Sequence, residues 1–248
     1  MSERSALITG ASSGMGAALA RLLAAEDIEV VLAARREDAL REQAEAILAA
    51  GGRARIEVLD VADPERTEAR IRELDEELAL DLVVANAGTG GSCWAGKLEW
   101  SKVSKIIAVN VSGAVATLTG ALPGMVARGR GHLVGVSSIA GYRGLPKSAA
   151  YCASKAFLST FLESLRVDLH DTGICVTDVR PGFVDTPMTE NMGKLPFLVE
   201  VDDAARIIAK AIARKRAVVS FPAPLAAVGH LLPSIPRVIY EPVVRGRK

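Results

Sequence analysis

The run ALITGASSGMGAALARLLAA (residues 6–25) changes period halfway along. Ala6 to Thr9 is a short, apolar, β-prone stretch, whereas from Met15 to Ala25 the apolar residues recur at helical spacing. Between them stand Gly10, Gly14 and Gly16, which let the backbone turn sharply, with Ser12 and Ser13 as small polar spacers. A strand that passes through a glycine turn straight into a helix is the opening of a parallel crossover unit. The alternation repeats outward from there. Strands are predicted at 29–34, 55–60, 80–85, 132–137, 174–180 and 217–220, and helices at 38–50, 64–78 and 202–214, with longer ones around 102–125 and 149–170. Most of these strands are continuous Val/Ile/Leu runs, as strands buried on both faces require. The expected fold is α/β: a doubly wound, seven-stranded parallel sheet with helices on both faces and right-handed crossovers. Residues 1–220 make up the main domain, and 221–248 form a Pro-rich apolar extension of the same domain.

Composition narrows the function classes. Half of the 248 residues are hydrophobic and the formal net charge is +1, so nothing draws the chain toward nucleic acid. Cys93, Cys152 and Cys175 show no CxxC spacing, and the three histidines are scattered, so neither a disulfide framework nor a metal site is expected. The start, MSERSALITG, lacks the apolar core of a signal peptide, and a reducing cytoplasm is the expected compartment. The tail FPAPLAAVGHLLPSIPRVIYEP carries five prolines. Its longest proline-free apolar piece is 225–232, far short of the roughly 20 residues that cross a bilayer.

The glycine turn also has chemical meaning. Glycines let the backbone approach a pyrophosphate, and the N–H groups of the following helix favour negative charge. The spacing G-x-x-x-G-x-G is not the G-x-G-x-x-G dinucleotide fingerprint, but the physics is shared. At the end of the second strand, VVLAARRED, an acid would bind a ribose diol and an arginine would suit a 2′-phosphate. Ala34 occupies the acid's place, and Arg35 and Arg36 follow. NADP(H) is therefore expected over NAD(H), with Arg35 as the first phosphate ligand and Arg36 or Ser13 adding a donor.

The motifs further along resemble those of the short-chain dehydrogenase/reductase family in its compact, Rossmann-type, single-domain branch. TGASSGMG is similar to the family's cofactor loop, and Asn86-Ala87-Gly88 to the motif closing its fourth strand. Asp60 and Val61 stand where family members meet the adenine. Asn110 in IIAVNVSG matches the family's helix asparagine, and VSSIAG supplies Ser138 thirteen residues before Tyr151. RPGFVDT matches the segment after the sixth strand, with Thr186 facing the nicotinamide carboxamide. The resemblance covers about residues 4–220. It implies a catalytic set of Asn110, Ser138, Tyr151 and Lys155. It also implies cofactor contacts from Gly10, Ser12, Ser13, Gly14, Met15, Gly16, Arg35, Arg36, Asp60, Val61, Asn86, Ala87, Gly88, Tyr151, Lys155, Pro181, Gly182, Val184 and Thr186. Metal is not called for.

The implied chemistry explains the residue types. Reducing a ketone needs a hydride and a proton on the oxygen, and a free tyrosine (pKa about 10) is poorly matched to that work near pH 7. Lys155 lies at i+4 from Tyr151, on the same helix face, and the expectation is that its charge makes the phenol acidic. Ser138 would hydrogen-bond the substrate oxygen, Lys155 would also hold the nicotinamide ribose, and Asn110 would position a water. The loop TGGSCWAGKLEW (89–100) and the stretch TPMTENMGKLPF (186–197) are the expected pocket. Trp94, Met188, Met192 and Phe197 there suit an apolar substrate, and the Pro-rich apolar tail is similar to the ends of family reductases that act on steroid, sphingoid or fatty ketones. Two other classes compete: a dinucleotide-sensing protein, which would dispense with Tyr or Lys, and a sugar-nucleotide epimerase or dehydratase, which would need a larger C-terminal part. The tail, ending in Arg245, Arg247 and Lys248, reads as a lid or dimer contact, with peripheral membrane contact as the alternative. A homodimer or homotetramer is expected through the helices around 102–125 and 149–170, where Phe157, Leu158, Phe161 and Leu165 exceed what one sheet face needs.

Overall fold

The fold was analysed in a computed structural model, which describes residues 4–190 and 192–245. Asn191 of the expected pocket, and Arg247 and Lys248 of the basic end, lie outside the described residues. Seven parallel strands form one sheet in the order β3-β2-β1-β4-β5-β6-β7. They are β1 (Arg4–Thr9), β2 (Ile28–Ala34), β3 (Arg53–Val58), β4 (Leu82–Ala85), β5 (Gly131–Val136), β6 (Ile174–Pro181) and β7 (Val218–Phe221). The helices are α1 (Gly14–Ala24), α2 (Glu37–Ala49), α3 (Pro64–Leu78), α4 (Trp100–Ile107), α5 (Ala114–Arg128), α6 (Ala149–Asp168), α7 (Val201–Ala213), α8 (Ala223–Leu231) and α9 (Arg237–Arg245).

Alternation along the strands divides the core in two. Ile8, Val30, Leu32, Val134 and Val179 point toward α1, α2 and α7, whereas Leu7, Val31, Val83, Leu133 and Val176 point toward α3, α5 and α6. Neighbouring residues feed opposite faces, so each strand reads as an unbroken apolar run. Strand order reverses between β1 and β4, and at such a point the crevice at the strands' carboxyl ends is where ligands bind.

α4 and α5 run on through a wide π-turn, Ala108–Gly113. The combined helix, Trp100–Arg128, is long and apolar enough to span a bilayer, but over half of its most apolar stretch is buried inside this fold. Leu158 corrects part of the association expectation: it is 1% exposed and belongs to the sheet-facing core, while Phe161 and Leu165 are partly buried against it.

The tail folds back as α8 and α9. Arg143 donates to the carbonyls of Leu232 and Ile235, and its guanidinium lies 3.9 Å from the centroid of the Tyr240 ring. Tyr240 Oη donates in turn to Gly144 O at 2.7 Å. These contacts strap the tail to the segment between β5 and α6.

Candidate active site

The glycine turn is shaped by what it must leave empty. Gly10 and Gly14 have φ of 69° and 57°, in the left-handed region that side chains disfavour. A Cβ at Gly16 would lie 2.5 Å from both Gly10 O and Asn86 Nδ2, so α1 approaches the turn as closely as a bare backbone permits. Asn86 braces this turn from β4: its Nδ2 donates to Thr9 O at 2.9 Å and to Gly10 O at 3.3 Å. Thr9 Oγ1 accepts from the Asn86 and Ala87 amides at 3.1 and 3.2 Å. Ser13 caps α1 without a side-chain hydrogen bond, so the first amides of α1 have no side-chain acceptor from their own cap. Such a cradle fits a dinucleotide pyrophosphate.

At the end of β2 the two arginines diverge. Arg36 Nη2 donates to Ser12 Oγ at 3.1 Å and to Ser13 Oγ at 3.0 Å, tying it to the glycine turn. Arg35 lies 3.9 Å from the Asp60 carboxylate, in an exposed pairing that holds it loosely. Val61, next to Asp60, is buried against Gly113 of the π-turn. On the far side, a Cβ at Gly14 would stand 3.3 Å from Thr186 Cγ2, so the segment after β6 closes over the turn. Pro181 and Val184 of that segment are buried, and the Gly182 amide donates to Phe221 O at 2.7 Å.

The four expected catalytic residues converge from three elements. Asn110 sits in the π-turn, fully buried, where its Oδ1 accepts from the Thr89 amide at 2.8 Å. Its Nδ2 donates to Thr89 O at 2.9 Å and to Ser154 Oγ at 3.1 Å. The asparagine thus clamps the chain just after Gly88 onto α6, and π-turns are common at such functional places. Ser138, at the end of β5, donates to Pro181 O at 3.2 Å, accepts from the Ala140 amide and faces the Tyr151 phenol. Lys155 is 5% exposed and donates to Val136 O at 2.8 Å. A Cβ at Gly88 would lie 3.5 Å from Lys155 Nζ and 3.6 Å from Asn110 Oδ1, so these groups surround one spot. Met188 joins them: a Cβ at Gly90 would meet its Sδ at 3.4 Å and Tyr151 Cδ2 at 3.8 Å.

The electrostatics correct the expectation of an acidic phenol. Burial pushes the Tyr151 pKa up, with only the Ser138 hydrogen bond pulling it back. Lys155, whose Nζ is 5.8 Å from the Tyr151 ring centroid, is itself pulled down to about 8 by burial, with Asp178 opposing. Desolvation disfavours both charges, and the lysine's attraction does not overcome it. Sequence reasoning also missed Asp178, whose charge acts on Lys155, and the residues behind it: Arg180, whose Nε donates to Asp178, and Tyr142, whose ring lies under the Arg180 guanidinium. The signal was present in VTDVR: an acid and a base inside an otherwise apolar strand.

Comparison with known proteins agrees with this arrangement. Residues 4–195 match the family model for short chain dehydrogenases. An uncharacterised oxidoreductase of Myxococcus xanthus is 50% identical over 247 residues, 99% of this chain and 98% of its own. A second, from Mycobacterium tuberculosis, is 36% identical over 92% of this chain and 93% of its own. Among solved structures, a short-chain dehydrogenase from Sphingobium yanoikuyae in complex with NADPH superposes with a TM-score of 0.84 at 26% identity, over 93% of this chain and 92% of that one. An actinorhodin polyketide ketoreductase with NADPH gives 0.81 at 28%, over 90% and 97%. The chain belongs to the short-chain dehydrogenase family and is an oxidoreductase of that family.

Proposed function

We propose that this protein is an NADP(H)-dependent reductase that interconverts a carbonyl and a secondary alcohol on an apolar substrate. The observation that carries the reading is the convergence of Ser138, Tyr151, Lys155 and Asn110 beside a glycine cradle braced by Asn86. NADPH in the two similar structures supports the cofactor choice, as do Ala34, Arg35 and Arg36. Gly10, Gly14 and Gly16 leave room for the pyrophosphate, Arg35 and Arg36 flank the place of a 2′-phosphate, Asp60 and Val61 border the adenine side, and Thr186 borders the nicotinamide side. Bound, the cofactor supplies or accepts the hydride.

The protein's own groups handle the proton. In reduction the Tyr151 phenol donates to the substrate oxygen, which Ser138 Oγ holds by a hydrogen bond, and in oxidation the phenolate takes the proton back. Lys155 stabilises the phenolate in that step, and the Asn110 clamp keeps α6 and the chain after Gly88 in place. Met188, half-exposed beside Gly90 and Tyr151, offers an apolar surface at the reacting end, and the exposed Trp94, Met192 and Phe197 extend it. The tail strapped over the segment between β5 and α6 serves as a wall of the site, and the surface of α5 and α6 serves two-fold association.

Purified protein with NADPH and a panel of ketones and aldehydes, followed at the nicotinamide absorbance, tests the reading. Tyr151→Phe is expected to lose at least about 1,000-fold in kcat, consistent with a removed acid–base group, with NADPH affinity close to the parent's. Turnover within a few-fold of the parent would remove Tyr151 from the chemistry.

A further inference from the structure

β6 carries a carboxylate inside the sheet, where most buried side chains are apolar. Asp178 is 0% exposed and lies in register with Gly135 of β5. An isolated charge there would cost several kcal/mol, so the ionised form must be partnered. Ser137 Oγ donates to its Oδ1, and Arg180 Nε donates to its Oδ2 at 2.6 Å. The Arg180 guanidinium lies over the Tyr142 ring, 4.9 Å from its centroid. Tyr142 Oη is in turn within hydrogen-bond distance of Ser220 Oγ at 3.1 Å and His230 Nε2 at 3.3 Å. His230 Nδ1 donates to Ala226 O, which leaves Nε2 of the neutral ring as an acceptor for the phenol. Arg180 is therefore held in place from β7 and α8 while it donates to Asp178.

One ladder step beyond the Gly135–Asp178 pair, Val136 pairs with Val179, and the Val136 carbonyl is the acceptor for Lys155 Nζ. The ammonium and the carboxylate thus occupy adjacent rungs of the same two strands. Few charged or titratable groups face Lys155. Tyr151 does so from its own helix, and Asp178 from β6 with Arg180 behind it. β5 and the π-turn contribute uncharged groups, Ser138 and the Asn110 amide. Burial acts against the ammonium, and the Asp178 carboxylate, one rung away on β6, acts for it.

We propose that Asp178 is a positioning residue for the reaction: locked between Ser137 and Arg180, its carboxylate is the counter-charge that keeps Lys155 an ammonium beside Tyr151. The inference rests on the roles of Tyr151 and Lys155 proposed above. Asp178 touches neither substrate nor cofactor. It acts through Lys155, which favours the phenolate when Tyr151 gives up its proton.

The test labels lysine at 13Cε in the parent, in Asp178→Asn and in Asp178→Asn/Arg180→Met, with the Lys155 signal assigned by its loss in Lys155→Arg. The Lys155 titration midpoint is expected to fall by about one pH unit or more in Asp178→Asn, as removal of one nearby charge predicts. The double variant leaves no unpaired buried charge, so it remains informative if the single variant does not fold, and its midpoint is expected to fall as well. With the midpoint, the high-pH limb of kcat/KM for NADP-linked alcohol oxidation moves to lower pH. A merely structural defect would lower the whole profile without moving the limb. An unchanged Lys155 midpoint in both variants overturns the proposal. A parent that turns over no carbonyl or alcohol overturns the reductase reading instead, and the midpoint still decides whether Asp178 governs Lys155.

Discussion

Ala34 offers no acceptor for a ribose diol and no negative charge to repel a phosphate, while the two arginines after it have different freedom. Arg36 hydrogen-bonds Ser12 and Ser13, which ties it to the glycine turn. Arg35 has only an exposed carboxylate at 3.9 Å to leave, which costs little. It is the arginine free to fork onto a 2′-phosphate, and one charge-assisted contact of about 1.5–3 kcal/mol corresponds to roughly 10- to 150-fold in affinity. Arg35→Ala is therefore expected to weaken NADPH by that factor and leave NADH nearly unchanged. Dissociation constants for both cofactors, measured by fluorescence titration, check it, and equal losses for the two would make Arg35 structural. At this scale the sequence shows which residue types meet, because each lies at a strand end or on a helix face. It does not show their charge states. Tyr151 and Lys155 are shifted mainly by burial, which depends on side chains remote in sequence and leaves no mark in the i, i+4 spacing.

Elements were legible to the extent that local pattern governs them. The seven strands stand within about two residues of their expected places because strands between two helical layers must be apolar on both faces. β3 shifts most, from an expected 55–60 to Arg53–Val58, because it is the sheet edge and its outer residues are half-exposed. The Leu59 amide makes the last bond to β2, donating to Ala34 O at 3.0 Å, and Asp60 then begins the turn that leads into α3. Neither the π-turn at Ala108–Gly113 nor the docking of α8 and α9 could be seen, since both depend on distant contacts such as Asn110 with Ser154 and Arg143 with Tyr240. The contact between α1 and the glycine turn is where element packing and binding meet. Gly16→Ala would push a methyl to 2.5 Å from Gly10 O, a backbone atom that cannot rotate away. A loss of about 1–3 kcal/mol, typical of overpacking, is expected in urea unfolding, together with a marked loss of NADPH affinity. Parent-like values for both would show that α1 can move back from the turn freely.

For the whole molecule, two properties follow from what the sheet buries and what the helices leave uncovered. His132 enters the core at the start of β5, where its Nε2 donates to Thr177 Oγ1 at 2.8 Å while that hydroxyl donates to Arg216 O at 2.6 Å. Burial, with Lys215 adding to it, pulls the imidazole from 6.5 down to about 4. The unfolded chain therefore takes up this proton first as pH falls. The stability that His132 contributes is fully present above about pH 6.5 and is lost as pH falls toward 4, a drop of roughly 3 kcal/mol. Urea midpoints from pH 7 to 4 check this, and His132→Gln should flatten the slope. The other property is association. Ile107, Val126, Phe157 and Val167 remain 38%, 45%, 45% and 72% exposed on the helices that cover one side of the sheet. Phe157 stacks on Phe161 with centroids 6.1 Å apart, which presents a flat aromatic surface at the middle of α6. A second copy related by a two-fold axis would cover the same residues on both partners, so each apolar side chain would be used twice. Light scattering at micromolar concentration is expected to give at least twice the 26.0 kDa of one chain. Phe157→Glu, which puts a charge at the centre of that surface without touching the buried Leu158 and Leu162, is expected to shift the population toward monomer while leaving the far-ultraviolet spectrum intact. A parent that scatters as a single chain would refute the association, and an unmoved oligomer in Phe157→Glu would place the interface elsewhere.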